Sequence, residues 1–376
     1  MNVPERPVIQ KIETLMHSSY SFALYRLPWT DECTLVLQTH DDAEALDDIT
    51  ALNGKRGFVI APFRLSEEHP MVLIRPDVTA TGWEAIGKAL SHEEESATLQ
   101  SEKCHFTNQK VSLFENPLHR VPESYPESFE RFIKPLQEKA FRKLVLSRSE
   151  IHPLTENFSP IGAFIKACNS YPRMMIYLCH TPQTGTWMGS TPEIILSGQE
   201  KNWHTVALAG TMPMHGEMMP DNWSNKNKEE QALVAEYIRK ALKKFGSKIE
   251  EQGPYTARAG QLVHLKTDFR FVLKDTKSLG NLLKELHPTP AVCGLPKEEA
   301  YRFITENEGY ERKYYSGFIG WLEPGGQTDL YVNLRCMEIL DSETILYAGG
   351  GILASSDMNA ELEETKEKMK TMINIL

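Results

Sequence analysis

Short hydrophobic segments bounded by turn residues recur along the chain and predict strands. Two early ones, GFVIAPF (57–63) and MVLIRP (71–76), are rich in β-branched and aromatic residues and end at prolines. The later segments of this kind are KLVLSR (143–148), MMIYLCH (174–180), GTWMGSTPEIIL (185–196), HTVALAGT (204–211), GQLVHLKTDF (260–269), YSGFIGWLEP (315–324), DLYVNLRCMEI (329–339) and TILYAGGGI (344–352). Strands therefore dominate the predicted secondary structure.

Apolar residues at helical spacing occur in fewer places. The segment SFERFIKPLQEKAFRK (128–143) predicts one helix, with Pro135 as the site of a kink. Its apolar residues at this spacing are Phe129, Phe132, Ile133, Leu136 and Ala140. Other helices are predicted over 228–246, over 278–287 and in the Glu/Lys-rich segment near the C-terminus. Consecutive strands interrupted by a few helices fit the α+β class better than regular β–α–β alternation.

The composition is that of a globular protein. The chain has 376 residues, which allows two ordinary domains or one large body, and 41% of them are hydrophobic. The acidic stretch 91–103 predicts an exposed connection or a surface helix. Six cysteines lie far apart without a CxxC pair, so we expect mostly buried thiols rather than a zinc site or a disulfide scaffold. They are Cys33, Cys104, Cys168, Cys179, Cys293 and Cys336.

Charge and hydropathy exclude several classes of partner. No apolar run approaches the ~20 residues that span a bilayer, and the start MNVPERPVIQK lacks signal or transit character, so we expect a cytoplasmic protein that does not bind membranes. The net charge of −10, without a basic cluster, argues against nucleic acid as a partner. A small anionic ligand is compatible with this charge where cations are placed locally.

Two strands carry candidate groups for proton transfer. Lys143 lies in a predicted strand beside leucines, and a lysine enclosed in this way can act as a general base. Its alternative is an exposed charge at a strand edge. Glu193 follows the turn GSTP at the start of an apolar segment, where poor solvation would make it a proton donor. Its alternative is a glutamate that faces water.

The segment AGGGILASSDMNAELEETKEKMK (348–370) combines exposed backbone with carboxylates. Glycines allow N–H groups to approach an anion closely. Glu361, Glu364 and Lys368 follow at i, i+3 and i+7, so they share one helix face, and carboxylates at this spacing suit a hard cation such as Mg²⁺. Glu229 and Glu230 offer a further carboxylate for a metal. A solvated Glu/Lys helix is the alternative for both segments.

Three further positions are candidates for binding a carboxylate ligand. Gly210 and Thr211 pair a backbone amide with a hydroxyl, where the alternative is an ordinary turn. Arg335 alternates with apolar neighbours, and a strand arginine can form a bidentate pair with a carboxylate or a structural salt bridge. Two other features are less specific. The prolines of LHPTPAVCG (286–294) predict a rigid loop. His264 has the pattern of a core histidine.

In this order along the chain, these residues resemble the chorismate-utilising enzymes, and most closely the isochorismate synthases. The matching motifs are KLVLSR, GSTPE, ALAGT, VHL, HPTPAVCG, YYSGFIGW, NLR and AGGGI with the carboxylate helix that follows. They span 143–368, whereas the N-terminal third matches loosely. The resemblance implies an α+β body with two large antiparallel β-sheets flanked by helices. It divides the chain into a catalytic region, 121–376, and an N-terminal part of the same body, 1–120.

The resemblance also implies roles for single residues. Lys143 is the general base that activates water for attack at C2 of the chorismate ring, and Glu193 is the general acid that protonates the departing C4 hydroxyl. Mg²⁺ is the cofactor, with Glu230 and Glu364 as direct ligands and Glu361 acting through water, and it binds the ring carboxylate. The substrate-binding positions are Gly210, Thr211, His264, Ala291, Tyr315, Arg335, Gly349, Gly351 and Lys368.

A few positions separate the branches of the family. Aminodeoxychorismate synthases carry a lysine nucleophile where this chain has Ala209. Anthranilate synthases usually have glutamine where Lys143 stands and use a glutaminase partner, so no glutaminase subunit is expected here. Salicylate synthases typically have threonine in place of Ala291, which points this chain to isochorismate release. Tyr315 is phenylalanine in some isochorismate synthases and tyrosine in pyruvate-releasing relatives.

The chain departs from its relatives in two segments. NKNKEEQALV replaces a DRHEHELV-like run, so the choice of Glu230 over Glu229 as metal ligand depends on register, and AGGGI replaces the commoner AGAGI. The sequence thus predicts a Mg²⁺-dependent isochorismate synthase, with menaquinone supply favoured over siderophore or salicylate supply. The alternatives are a salicylate synthase and a non-catalytic chorismate-binding homologue, against which the presence of both Lys143 and Glu193 argues.

Overall fold

The computed structural model describes residues 3–98, 124–214 and 218–376, with the side chains of 93–98 left aside. Eighteen strands and eight helices lie within these ranges. The strands are β1 (Ser21–Arg26), β2 (Thr34–Gln38), β3 (Glu44–Leu46), β4 (Gly57–Ala61), β5 (Met71–Ile74), β6 (Val78–Thr81), β7 (Lys143–Pro153), β8 (Met175–Thr181), β9 (Gly185–Thr191), β10 (Ile194–Gln199), β11 (Asn202–Pro213), β12 (Gly246–Ala259), β13 (Leu262–Leu273), β14 (Gly294–Leu295), β15 (Phe318–Leu322), β16 (Thr328–Val332), β17 (Cys336–Ile339) and β18 (Glu343–Ile352). The helices are α1 (Arg6–Leu15), α2 (Trp83–Thr98), α3 (Tyr125–Gln137), α4 (Pro160–Ser170), α5 (Asn225–Phe245), α6 (Leu279–Leu286), α7 (Lys297–Asn307) and α8 (Met358–Ile373).

The strands form two nine-stranded antiparallel sheets, which confirms the predicted α+β class. The first sheet has the order β14-β7-β18-β17-β9-β8-β1-β2-β6, and the second has the order β12-β13-β11-β10-β16-β15-β4-β5-β3. Strands from the N-terminal third form one edge of each sheet. Among the described residues, no helix is both long enough and apolar enough to cross a membrane.

The two sheets pack face to face with helices outside them. An aromatic-rich cluster fills the space between the sheets and includes Tyr177 and Trp187 from the first sheet and Phe58 and Tyr331 from the second. A second cluster joins the outer face of the first sheet to α1, α2, α4 and α8, and a third joins the other sheet to α5 and α6. Each sheet therefore buries both of its faces.

Two predicted strands are divided between the sheets. The segment 185–196 forms β9 in the first sheet and β10 in the second, and 329–339 forms β16 in the second sheet and β17 in the first. Pro192 stands in the first break and cannot donate a backbone hydrogen bond to a ladder. Within these two predicted strands the chain thus passes directly from one sheet to the other, at 192–193 and at 333–335.

The helix predicted over 128–143 ends earlier, at Gln137. Pro135 lies inside its last turn, and Lys139 adopts a left-handed conformation with φ of +62°, which stops the helix before β7 begins. The acidic stretch 91–103 is helical as far as Thr98, in α2, and its remainder lies outside the described residues. The five described cysteines are free and buried, as expected, and Cys104 lies outside the described residues.

Candidate active site

A cavity lies where the chain passes between the two sheets. Its walls come from β7, β11, β13 and β18, from helices α5 and α8, and from both crossovers. The lining residues include eleven of the predicted site residues, which are Glu193, Gly210, Thr211, Glu230, His264, Ala291, Tyr315, Arg335, Gly349, Gly351 and Lys368. Residues that are distant in the sequence are therefore brought together as the family resemblance implies.

The crossovers hold Glu193 and Arg335 at this cavity. The Val332 amide donates to the Glu193 carbonyl at 2.8 Å, and the Ser190 amide donates to the Arg335 carbonyl at 3.0 Å, so the two crossovers run side by side. Arg335 has a φ of +48° and lies outside any strand, which corrects its prediction as a strand residue. Because a change of sheet interrupts the strand alternation, Arg335 can turn into the cavity while its neighbours stay buried.

Glu193 is almost fully buried, at 2% exposure. Burial raises the pKa of its carboxyl to about 8, even though Lys143, Lys368 and Arg335 favour the charged form. The side chain is therefore protonated at neutral pH and can donate a proton. The alternative of a glutamate that faces water is wrong.

Lys143 opens β7 and has no exposed surface. Its ammonium lies 3.1 Å from Glu230 Oε1 and has no other polar partner among the described residues. Val145, two residues along the strand, lines the cavity, so the period of the strand directs this face toward the site. The alternative of an exposed strand-edge charge is wrong.

Glu230 faces the cavity, whereas Glu229 is exposed to solvent. Burial favours the neutral form of Glu230, but the charges of Lys143 and Lys226 outweigh it and lower the pKa of the carboxyl. The ammonium of Lys226 lies 3.6 Å from Glu230 Oε2 and 2.9 Å from Glu361 Oε1. The helical period thus selects Glu230 as the inward-facing member of the pair.

Helix α8 carries the remaining acidic residues toward the cavity. Asp357 caps its N-terminus by accepting from the Ala360 amide, and Glu361, Glu364 and Lys368 follow on one face. The Lys368 ammonium lies 2.7 Å from Glu364 Oε1 and donates to the Gly349 carbonyl at 2.7 Å. The predicted juxtaposition of the glycine triplet and the carboxylate helix is therefore present.

The carboxylate oxygens of Glu230, Glu361 and Glu364 are suitable ligands for a hard cation, although the three residues do not bring one oxygen each within 4.8 Å of the others. Glu361 Oε2 is buried without a hydrogen-bond partner among the described residues, and the Glu230 and Glu364 carboxylates act on the same ammonium of Lys226. Carboxylate oxygens are the ligands that Mg²⁺ prefers. Among the described residues, three possible ligand atoms do come within 4.8 Å of one another in a different place, which is formed by Glu68, His69 and Glu311 near the surface. Lys226 stands between the carboxylates of Glu230 and Glu361, in a groove that adjoins the cavity at Thr211.

The glycine triplet leaves space for these side chains. A Cβ on Gly351 would lie 2.1 Å from Glu230 Oε1, and one on Gly349 would lie 2.9 Å from the Tyr315 hydroxyl. Strand β18 pairs with β7 along 343–352 but with β17 only at 344–346, so β17 leaves the glycine edge uncovered. Backbone groups on that edge are available to a ligand.

A β-bulge and a histidine position Arg335. Strand β11 changes register at Gly210, whose φ is +69°, and continues to Pro213, so the predicted strand end is a bulge. His264 accepts from an Arg335 N–H at 2.5 Å through Nε2, and its Nδ1 lies 3.0 Å from the Gly210 carbonyl. Burial and the nearby cations lower the pKa of His264 well below its usual range. The ring is neutral and orients the guanidinium.

Sequence reasoning missed several residues at the cavity. Tyr347 lines it and stacks on Tyr315, with ring centroids 5.6 Å apart. Arg312 donates to the carbonyls of Val145 and Val292 and pairs with buried Glu308, which ties β7 to the Ala291 loop. Lys226 had a detectable signal, because it lies four residues before Glu230 and so shares its helix face.

A family model described as "Chorismate binding enzyme" matches residues 6–376, nearly the whole chain. The chain belongs to the chorismate binding enzyme family. This confirms the resemblance deduced from the motifs and extends it across the N-terminal third, which had matched loosely.

Two curated relatives of this chorismate binding enzyme carry synthase names. A salicylate biosynthesis isochorismate synthase from Pseudomonas aeruginosa is 30% identical over 64% of this chain, and the match covers 52% of that protein. A vibriobactin-specific isochorismate synthase from Vibrio cholerae is 27% identical over 72% of this chain and 70% of its own length. The chain thus matches about half of the first protein and about two thirds of the second.

The fold of this family member also occurs in a solved structure. MenF, the menaquinone-specific isochorismate synthase from Escherichia coli, superimposes with a TM-score of 0.75 at 21% identity, covering 100% of this chain and 92% of that one. The architecture of the two sheets is therefore shared over the full length.

Proposed function

We propose that this protein is a Mg²⁺-dependent isochorismate synthase, which converts chorismate into isochorismate. The observation that carries the proposal is the burial of both Lys143 and Glu193 beside one cavity, which Glu193 lines and to which Lys143 is linked through its contact with Glu230, with Glu193 protonated at neutral pH. The names of the curated relatives support the same activity.

The reaction needs one proton taken and one proton given. As a water oxygen bonds to C2 of the ring, Lys143 takes the water proton, once the ammonium that faces Glu230 has released its own proton. Glu193 gives its proton to the C4 hydroxyl, which leaves as water. The ring double bonds shift as the C–O bond forms at C2 and the C–O bond at C4 breaks. One water enters and one leaves, so the product is an isomer of the substrate. Proton transfers of this kind contribute about 10²- to 10⁴-fold to a rate.

Glu230, Glu361 and Glu364 would hold Mg²⁺ in this cavity. The bound ion would supply positive charge to the ring carboxylate of chorismate. Arg335 and Lys368 would offer charged hydrogen bonds to the substrate carboxylates, together with Thr211 and the free backbone edge of β18. Because His264 already fixes the Arg335 guanidinium, little side-chain freedom is lost when the substrate binds.

A salicylate synthase is the second candidate. Tyr315, which is tyrosine in pyruvate-releasing relatives, directs its hydroxyl against Gly349 at the cavity wall. Ala291 in place of threonine favours isochorismate release, and its methyl group lines the same cavity. We therefore assign isochorismate as the product and pyruvate release as the competing outcome.

For the pathway, we propose menaquinone biosynthesis, since quinone supply is the commoner use of isochorismate. The full-length superposition on the menaquinone-specific MenF is compatible with this choice. Relatives named for vibriobactin and salicylate make siderophore supply the alternative.

The test is to incubate the purified protein with chorismate and Mg²⁺, separate the products by chromatography and assay pyruvate enzymatically. We expect isochorismate without pyruvate, lost on chelation of the metal and in Lys143→Ala. Salicylate with pyruvate would move the protein to the lyase branch. Unchanged chorismate from folded protein would contradict the catalytic proposal and favour a binding role.

A further inference from the structure

One cation beside the cavity is a lysine that no proton transfer requires. Lys226 lies in the first turn of α5, four residues before Glu230. Its ammonium lies 2.9 Å from Glu361 Oε1 and 3.6 Å from Glu230 Oε2, and the Glu364 carboxylate acts on it as well. Carboxylates from two helices thus converge on a single ammonium group.

This ammonium lies between carboxylates that a metal ion would also favour. Each carboxylate oxygen of Glu230 faces a lysine, with Lys143 at Oε1 and Lys226 at Oε2. The second oxygen of Glu361 is buried and unpartnered among the described residues. Glu230 thus faces two lysine ammonium groups, and Glu361 Oε2 is an unused acceptor beside them. Protein side chains balance the charge of the carboxylates but do not satisfy every carboxylate oxygen.

An ion and this ammonium cannot share the site. Mg²⁺ takes oxygen ligands at about 2.1 Å in near-octahedral geometry, and two positive charges among the same carboxylates repel each other. The Lys226 side chain is 19% exposed and borders an open groove. Glu361 and Glu364 line the same groove, and so do Asp357, Glu363 and Glu367. An ammonium that leaves Glu230 therefore stays in acidic surroundings, where Lys366 already pairs with Glu363 and Lys370 with Glu367.

We propose that Lys226 is a built-in counter-ion that occupies the cation site and must swing out into the groove before Mg²⁺ binds. This inference rests on the proposed function for the identity of the ion. Lys226 keeps the carboxylates of α5 and α8 together in the metal-free protein, and it makes metal binding a displacement. Lys226 therefore weakens the affinity for Mg²⁺ while it stabilises the empty site.

The first test compares Lys226→Met with wild type by calorimetric titration of Mg²⁺. We expect the apparent Kd for Mg²⁺ to fall about tenfold, because the ion no longer competes with an ammonium. The matched control is Lys240→Met on the same helix, where Lys240 forms an exposed i,i+4 pair with Glu236 at 2.6 Å. Its Mg²⁺ affinity should equal that of wild type. An unchanged or weaker affinity in Lys226→Met would overturn the proposal.

The second readout is the thermal midpoint of the metal-free protein. Without Lys226, Glu230 and Glu361 each lose a cationic partner, so the midpoint should fall, and saturating Mg²⁺ should raise it more than it raises that of wild type. A metal-free Lys226→Met protein as stable as wild type would contradict the counter-ion role.

A third measurement uses wild type alone and does not depend on the folding of a variant. Limited acylation of lysines, read by mass spectrometry, should modify Lys226 faster in the presence of Mg²⁺ and leave Lys240 unchanged. Equal labelling with and without Mg²⁺ would refute the displacement, and so would the absence of Mg²⁺ binding in both wild type and Lys226→Met.

The proposed function is tested separately, by analysis of the products formed from chorismate. Wild type that makes isochorismate, with Mg²⁺ affinity unaltered in Lys226→Met, would remove this inference alone. The expected affinity change without isochorismate formation would remove the proposed function alone.

Discussion

Burial sets the protonation state of Glu193. Its carboxyl lies at 2% exposure beside three cations, yet loss of solvation prevails and raises its pKa to about 8. Arg335 shows the same cause, since burial lowers the pKa of its guanidinium to about 10, still well above neutral pH. The site thus holds a neutral acid and a fixed cation side by side at neutral pH, as an acid-assisted loss of hydroxide requires.

Glu193→Gln should abolish the proton donor and leave the fold intact. Glutamine has the shape of the protonated carboxyl but cannot give a proton, so we expect kcat to fall about 10²- to 10⁴-fold with little change in KM. Steady-state kinetics with chorismate measures this, and an unfolding curve provides the control. A variant with near wild-type kcat would show that another group supplies the proton.

The activity of wild type should decline as pH rises through about 8, because Glu193 then loses its proton. Stability should change in the same direction. The folded protein retains this proton between the ordinary glutamate pKa, near 4.5, and about 8, so the favourable contribution is present at low pH and is lost as pH rises across that window. A comparison of unfolding free energies with Glu193→Gln should show a flatter pH dependence in the variant. Equal slopes would contradict the raised pKa.

At the scale of elements, the last strand and the helices on either side of the cavity must approach one another closely. A Cβ on strand β18 would lie 2.1 Å from Glu230 Oε1 at Gly351 and 3.2 Å from Glu361 Oε2 at Gly350. The three glycines therefore serve close packing, whereas anion binding, the role expected from the sequence, stays a prediction.

Gly351→Ala should inactivate the protein. Its Cβ would lie 2.1 Å from Glu230 Oε1 and 2.8 Å from Lys143 Cε, so both side chains must shift. A displacement of about 1 Å at a reacting group can cost about 100-fold in rate. Gly325→Ala is the control, since a Cβ there meets nothing within 4 Å. Equal activity of both variants would show that this approach is not needed.

Arg312→Met should destabilise the protein by about 3–5 kcal/mol, because it leaves Glu308 buried without its ion-pair partner. Urea unfolding measures the change. Arg239→Met, which breaks the exposed pair with Glu251, should cost less than about 1 kcal/mol. The double variant Arg312→Met with Glu308→Gln should recover part of the lost unfolding free energy. A small effect of Arg312→Met would argue against the connection between β7 and the Ala291 loop.

At the scale of the whole molecule, the cavity depends on the packing of one sheet on the other. Trp187 on β9 stacks on Tyr347 and meets Tyr314 edge-on, with ring centroids 5.5 Å apart in both pairs. Tyr347 in turn lines the cavity. The core between the sheets and the wall of the site are therefore continuous.

Trp187→Ala should destabilise the fold by about 3–5 kcal/mol and also raise KM for chorismate, because Tyr347 loses its support. Trp29→Ala is the control, since Trp29 is 70% exposed and its loss should cost less than about 1 kcal/mol. Chemical unfolding and kinetics on the same preparations measure both effects. A change in stability without a change in KM would separate the core from the site.

The sequence by itself determined the α+β class, the type of many elements and eleven of the residues that meet at the cavity, but not the helices α1, α4 and α7, the strand β12 or Tyr347. Periodicity predicts a strand such as β7 or β13 from its neighbours in the chain, and ordered motifs identify the family without any coordinates. The roles of the single residues stay predictions, although their proximity is now seen.

Only the tertiary structure decided which sheet each strand joins and which charged groups are enclosed. Apolar residues continue through 185–196 and 329–339, because both sheets present apolar faces. The turn GSTP marks a break before Glu193, but no local feature shows that the chain changes sheet there or before Arg335. Burial of Glu230 rather than Glu229, and the presence of Lys226 among the carboxylates, depend on how α5 packs against α8 and β18. Such contacts join residues more than a hundred positions apart, and for that reason they follow from the fold and not from the local sequence.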